Sequence, residues 1–313
     1  MARLLVESDL GPLFEDPDAV IDAMAAIREA MAHHPIPSVG GPTLPLDRGH
    51  LRISLGYLPG RGASLRTYPV GAYPASSKPP LYALWDSQGT LLALFADSRL
   101  SLWRTAAPAW LAATLLHPGP VEKIALLGSG RQAEGQLYGW ARLRPSASTI
   151  QVYSPTPAHR QAFAERMSAQ LRRTVEPTAS AEMAVRDADL IGVCSNSRQP
   201  VLEASWLKPG ALLVSIADGQ LPAEVVRRCA VYASERHAVV GPDASRKPYA
   251  DLVTEGNWEG IRGDLTELVQ DRAPAPPQDR PVLFEMPGLG VWDTALAWWA
   301  YSWAEERGCG ITL

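Results

Sequence analysis

Apolar positions recur along the chain at two periods, and the pattern of alternation changes near residue 100. The first helical signal is Val20, Met24, Ile27 and Met31, at i, i+4, i+7 and i+11 on one face. Asp16 as N-cap and Pro17 at the first helical position open this helix, which ends near His33. A stretch with Pro35, Pro37, Pro42 and Pro45 follows. Short strand-like runs come next, at 51–58, 64–68, 81–85 and 91–95, with Asp86-Ser87-Gln88-Gly89 as the hairpin turn between the last two. The first hundred residues therefore read as helix plus a mostly antiparallel sheet.

After Ser101 a helical pattern at 105–116 leads into alternating apolar strands and amphipathic helices. These are a strand at 123–127, a helix at 131–143, a strand at 149–153 and a helix at 157–171. A short strand near Thr174, a helix opened by Ser180, and strands at 190–194 and 211–216 continue the series. Repeated strand and helix at this spacing predicts a parallel sheet covered on both faces. The fold class is α/β: a Rossmann-type doubly wound parallel sheet plus a second α+β domain. Pro108 is tolerated if Thr105 is the N-cap, because it then falls in the first turn, and this places Arg104 and Thr105 at a helix entrance. Pro274, Pro276, Pro277 and Pro281 mark a stiff connector before a strand at 282–285 and a final helix at 292–306. Trp292, Trp299 and Trp303 fall at i, i+7 and i+11 of that helix, which predicts one buried aromatic face.

Composition narrows the classes. At about 150 residues per domain, a chain of 313 residues suggests two domains. With 46% hydrophobic and 20% charged residues, wholesale disorder is excluded. A net charge of -4 lacks the basic excess that a phosphate backbone demands, so no nucleic-acid partner is expected. No apolar run reaches the roughly 18 residues of a membrane span, and acids appear early in Met-Ala-Arg-Leu-Leu-Val-Glu, so no membrane association is expected. Cys194, Cys229 and Cys309 lie far apart without a CxxC pair, which fits reduced thiols and a cytoplasmic protein. Cys194, on an apolar strand, reads as a buried small hydrophobe, and the six histidines show no metal-ligand spacing.

The chemistry concentrates after the strand at 123–127. Gly128-Ser129-Gly130-Arg131-Gln132-Ala133 is a GxGxxA loop between strand and helix. Gly128 permits the tight turn, Gly130 lets a pyrophosphate approach the backbone, and Ala133 keeps helix and strand close. The helix N-terminus then favours an anionic pyrophosphate. An NAD enzyme usually carries an acid about 20 residues on, at the end of the second strand. Here Tyr153 runs into Ser154-Pro155-Thr156-Pro157-Ala158-His159-Arg160, and no acid appears before Glu165. Ser154, Thr156 and Arg160 suit a 2'-phosphate, which favours NADP over NAD. The plain alternative is that Arg160 is a solvated helix residue.

Several further segments, in order, carry a resemblance: Arg104-Thr105-Ala106-Ala107, the Gly128 loop, Pro200-Val201-Leu202 with Leu207-Lys208-Pro209-Gly210, Ala217-Asp218 with Glu224, and Phe284-Glu285-Met286-Pro287-Gly288-Leu289-Gly290-Val291-Trp292-Asp293. Together they resemble the ornithine cyclodeaminase and mu-crystallin family. The resemblance implies a homodimer, with a substrate-binding and dimerisation domain from 1–115 and 288–313 around a dinucleotide-binding domain at 116–287. It implies that Arg104 binds the substrate carboxylate, that Asp218 handles protons at the substrate nitrogen or its attacking water, and that Thr105, Ser195 and Gly288 border the cofactor. It also makes the tryptophan helix a packing seam between the domains, with Trp292 or Trp103 lining the substrate pocket.

Chemistry supports two of these assignments independently. A guanidinium offers a planar fork to a carboxylate and keeps its proton. A carboxylate at the carboxyl end of a parallel strand, as Asp218 is, sits where open α/β sheets bind ligands and can exchange a proton with an amine. The alternative for Asp218 is a turn-forming Asp-Gly. Departures matter too. Arg66 stands where the family commonly has lysine, Pro45 where it has arginine, with Arg48 and Arg52 out of register, and Met286 where it has serine. The sequence thus reads as an NAD(P)-dependent imine reductase or amino-acid dehydrogenase acting on a small amino or imino acid, with Asp218, Arg104 and Arg66 as its chemical residues. The alternatives are a cyclodeaminase with recycled NAD and a non-catalytic NADPH-binding protein like mu-crystallin.

Overall fold

Runs of two to ten extended residues alternate first with hairpin turns and then with helices, and the two regimes give two different sheets. The computed structural model describes residues 1–33, 41–71, 79–197, 199–216, 218–241 and 248–313. Pro35 and Pro37 lie outside the described residues. In chain order the elements are β1 (Arg3–Val6), α1 (Glu7–Glu15), α2 (Ala19–Ala32), β2 (Thr43–Leu46), β3 (Gly49–Leu58), β4 (Gly62–Gly71), β5 (Leu81–Asp86), β6 (Leu91–Ala96) and α3 (Ser98–Leu116). Then come β7 (Lys123–Leu127), α4 (Arg131–Leu143), β8 (Thr149–Tyr153), α5 (Pro157–Leu171), β9 (Glu176–Pro177), α6 (Ala181–Val185), β10 (Leu190–Val193), β11 (Leu212–Ser215) and α7 (Ala223–Arg228). The last are β12 (Ala230–Ala233), α8 (Arg236–Val240), α9 (Tyr249–Glu255), β13 (Ile261–Asp264), α10 (Leu265–Val269), β14 (Val282–Glu285), α11 (Gly290–Glu306) and β15 (Ile311–Thr312). Contacts group Met1–Pro108 with Leu289–Leu313 as one unit and Ala109–Gly288 as another. No helix among the described residues is long and apolar enough to cross a membrane.

The first unit holds a seven-stranded sheet in the order β15-β1-β6-β5-β4-β3-β2. Its β2 to β6 neighbours are antiparallel, whereas β1 joins β6 in parallel. The Asp86 carboxylate closes the β5–β6 hairpin by accepting from the amides of Gln88 and Thr90, both at 2.9 Å. Pro45 lies in β2, at the sheet edge, where a strand tolerates a residue without an N–H.

Against this sheet, α11 buries nearly its whole circumference. Trp292 is fully buried and donates from Nε1 to Met31 Sδ at 3.3 Å. Trp299 stacks on Trp103 with centroids 5.8 Å apart, and Phe14 meets both edge-on. These partners all belong to the first unit, so Trp292 and Trp103 are its core. The expectation that they line a pocket gives way to packing.

The second unit holds an eight-stranded sheet in the order β13-β12-β14-β11-β10-β7-β8-β9, with every pair parallel. Strands β10, β11, β12 and β14 are buried at every position, as expected where helices cover both faces. From β7 the chain builds outward to β8 and β9 on one side and to β10 and β11 on the other. That reversal puts the topological switch point beside Gly128.

Three helix starts differ from the sequence reading, the final helix beginning at Gly290 and not at Trp292. The helix expected from Pro17 begins at Ala19 with Asp18 as N-cap, because Asp16 Oδ1 accepts from Asp18 N at 2.9 Å and folds Asp16–Asp18 into a turn. The helix expected from Thr105 begins at Ser98, where Asp97 Oδ1 accepts from Leu100 N at 2.7 Å. Arg104 and Thr105 therefore lie inside α3 and not at its entrance. Pro108 is interior as well and cannot donate to the carbonyl four residues earlier.

Candidate active site

Gly128 follows β7 with φ +121, and a Cβ there would meet the backbone carbonyl of Cys194 at 2.7 Å, so only glycine fits. Its amide donates to Tyr153 O at 2.8 Å, which ties the loop to the end of β8. Gly130 is the N-cap of α4 and makes no side-chain cap. A Cβ on it would project into open space, so the backbone there is open to an anion. Ser129 and Arg131 stand beside it at the surface side of the loop, Gln132 is half-buried and Ala133 is fully buried against the sheet. Ser129 Oγ donates to Ser154 Oγ at 2.9 Å. A cavity of about 820 Å³ opens here, lined by Gly128, Tyr153, Ser154, Ser195, Pro200 and Glu224 among others. The open glycine cradle, the uncapped helix and a cavity of this size fit a dinucleotide.

At the rim, Thr156 is the exposed N-cap residue of α5. Arg160 donates from Nη1 to Ser154 O at 2.9 Å and to Pro155 O at 3.3 Å, so its guanidinium holds the turn after β8. Ser195 Oγ donates to Gln220 Oε1 at 2.9 Å, and Gln220 Nε2 returns a bond to Ser195 O at 2.6 Å. Gln220 is buried and joins the loop after β10 to the loop after β11. The sequence reading passed over it. Asp218, two residues before it, is exposed in the second of those loops. Gly288 is exposed at the end of a turn whose Pro287 carbonyl accepts from Ser234 Oγ at 2.8 Å.

In the first unit, Arg66 on β4 faces Ser54 on β3 and Tyr82 on β5 across the sheet. Arg104 reaches the same place from α3, and Asp293 from the first turn of α11. Gly56 and Gly290 let that turn approach the sheet, since a Cβ on Gly56 would meet Gly290 O at 2.0 Å. Asp293 Oδ1 lies 3.1 Å from Arg66 Nε and 3.5 Å from Arg104 Nε, while its Oδ2 accepts from Ser54 Oγ at 2.7 Å. The Asp293 and Arg66 side chains are 0% and 4% exposed, and that of Arg104 is 12% exposed, which excludes an ordinary surface ion pair.

Burial by itself lowers the Arg66 pKa, but Asp293, Tyr82 and Tyr68 together hold it above the ordinary arginine value. At Arg104, burial and then the charge of Arg66 prevail over Asp293 and lower it. Two guanidiniums thus share one carboxylate. The buried cluster therefore carries a surplus positive charge. Sequence reading named Arg66 and Arg104 but not Asp293, although the run ending Gly290-Val291-Trp292-Asp293 carried it. Thr105 is half-buried in the same helix as Arg104. Arg48 and Arg52 are exposed, as is Pro45.

The ornithine cyclodeaminase/mu-crystallin family model matches residues 81–308. The NAD(P)H-dependent anabolic L-arginine dehydrogenase of Pseudomonas aeruginosa is 32% identical over 271 residues, covering 81% of this chain and 81% of that protein. The ketimine reductase mu-crystallin of Macropus fuliginosus is 26% identical over 306 residues, covering 91% and 93%. Among solved structures, the Delta(1)-pyrroline-2-carboxylate reductase of Thermococcus litoralis in complex with NADH and L-proline superposes with a TM-score of 0.88 at 22% identity. It covers 99% of this chain and 100% of that one.

Proposed function

Since the chain belongs to the ornithine cyclodeaminase/mu-crystallin family, we propose that it is an NAD(P)-dependent oxidoreductase that transfers a hydride at the α carbon of an amino or imino acid, as an imine reductase or amino-acid dehydrogenase. The observation that carries this reading is the buried cluster in which Arg66 and Arg104 share the single carboxylate of Asp293. A substrate carboxylate balances its charge and takes up guanidinium donors in fork geometry. The names of relatives, an L-arginine dehydrogenase and a ketimine reductase, support the same chemistry.

The bound nicotinamide supplies or accepts the hydride. The chain's own residues do the rest. The Gly128 loop and the α4 N-terminus hold the pyrophosphate, Arg66 and Arg104 fix the carboxylate, and Asp218 exchanges the proton at the substrate nitrogen. In oxidation Asp218 accepts that proton, and in reduction it returns one, so that an imine plus a hydride and a proton gives the amine. Ser154, Thr156 and Arg160, without an acid at the end of β8, favour NADP over NAD. Purified protein given NADPH, a 2-oxo acid and an amine is expected to consume NADPH, and with a lower KM than for NADH. Release of ammonia from ornithine without net change in NADPH would instead mark a cyclodeaminase.

The same reading includes a homodimer and a cytoplasmic site of action. Leu44 on β2, Leu55 and Tyr57 on β3 and Leu81 on β5 are 51%, 59%, 53% and 53% exposed. Cross-strand register puts all four on the sheet face opposite Ser54, Arg66 and Tyr82. A patch of this kind marks a covered surface, and a second copy of the chain covers it. Leu55→Glu is expected to convert a dimer to a monomer in light scattering. A wild-type protein that is already monomeric would contradict the interface. Cys194, Cys229 and Cys309 are free thiols, in keeping with a reducing compartment.

A further inference from the structure

We propose that the Tyr82 hydroxyl is a third arm of the carboxylate site, donating its proton to the substrate carboxylate beside Arg66 and Arg104; this rests on the reading of that cluster as an anion site. Tyr82 is 1% exposed and lies directly opposite Arg66 in the β4–β5 pair. Its ring belongs to the core, packed edge-on against Phe95 with centroids 6.3 Å apart. That contact is made by the ring and does not involve the hydroxyl.

Four buried polar atoms without a hydrogen-bond partner among the described residues gather in this cluster: Arg66 Nε, Arg104 Nε, Asp293 Oδ1 and Tyr82 Oη. Ser101, which accepts from Arg66 Nη1 at 3.2 Å, and the Arg66 guanidinium both flank the phenol oxygen without an aligned hydrogen bond. Arg66 Nε and Arg104 Nε have Asp293 Oδ1 as ion-pair partner, so the Tyr82 hydroxyl is the one of the four with neither an ion pair nor an aligned hydrogen bond, and a buried polar group in that state calls for a ligand. Aspartate and two guanidiniums give the ligand its sign.

Tyr82 suits the role of donor for a specific reason. The phenol oxygen lies in the field of the Arg66 and Arg104 charges. Cations attract its lone pairs and turn the O–H proton away from themselves, toward an anion. Burial, with the Asp293 charge, pushes the phenol above its ordinary pKa, so Tyr82 stays protonated and adds a donor without adding negative charge.

The test compares Tyr82→Phe with the wild type in two measurements: turnover with NADPH, pyruvate and methylamine, and calorimetric binding of pyruvate. A hydrogen bond to a charged group leads to an expected rise of about tenfold to a hundredfold in KM and in the pyruvate Kd. The value of kcat is expected to stay within about twofold, and Tm not to fall, since the ring packing is kept. Unchanged KM and pyruvate affinity in Tyr82→Phe would overturn the proposal. If pyruvate binding weakens in the variant while the wild type consumes no NADPH, the donor role stands and the reaction assigned above fails. If the wild type does not bind pyruvate, both fall.

Discussion

Arg104→Met is expected to lower kcat/KM for oxo-acid substrates by about two to four decades while the protein stays folded. Removing one partner of a buried charge-assisted contact costs about 3–5 kcal/mol. At about 1.4 kcal/mol per decade that gives this range. Arg104 is the informative position because its loss leaves Arg66 and Asp293 paired at 3.1 Å. The variant cluster is then neutral and holds no surplus charge for a substrate. Arg104 contributes little that the apoprotein needs, since burial and the neighbouring Arg66 both act against its charge. Steady-state kinetics together with a thermal melt check the prediction. A large drop in Tm, or activity within about threefold of the wild type, would show that Arg104 serves the fold and not the substrate.

Asp218→Asn is expected to lower kcat by about two to four decades, the range for a positioned proton-transfer group. Dinucleotide affinity should not change, because the Gly128 cradle and the α4 N-terminus are untouched. Asp218 is exposed, and asparagine has its shape, so stability offers no competing explanation. Fluorescence titration with NADPH separates the two effects. Full activity with normal cofactor binding would remove Asp218 from the chemistry and leave it as the Asp-Gly turn residue.

The parts of the fold that the sequence made legible are those fixed by local pattern. The boundaries of β7, α4, β8, α5 and β14 follow directly from hydrophobic runs punctuated by glycine, proline and caps. Ser180, for example, does cap α6, accepting from Met183 N at 3.1 Å. What failed locally failed for identifiable reasons. Pro108 suggested a helix start, because proline is at home in a first turn, and the Asp97 cap eleven residues upstream was missed. Helix α1 was also missed, although Asp9 caps it by accepting from Val6 N at 2.9 Å.

The site divides the same way. The Gly128 loop is contiguous, so its geometry was readable from a few residues. The arginine–aspartate cluster is assembled from β3, β4, β5, α3 and α11, and Asp293 lies 239 residues from the serine that donates to it. Nothing local in Trp292-Asp293-Thr294 distinguishes a buried carboxylate between two arginines from a helix first-turn acid. Tyr82 likewise reads as one more aromatic on an alternating strand until its hydroxyl is seen among charges. Register across the sheet, not periodicity along the chain, brings these groups together.

Hydride transfer between a nicotinamide and the α carbon of an amino or imino acid leaves an isotopic trace in the product. It is tested most directly with NADPH deuterated at nicotinamide C4 on the transferred face, incubated with protein, a 2-oxo acid and an amine. The expected amino-acid product carries one deuterium at its α carbon, in one-to-one ratio with NADPH oxidised. Product without the label, or no product while the protein still binds NADPH, would contradict it.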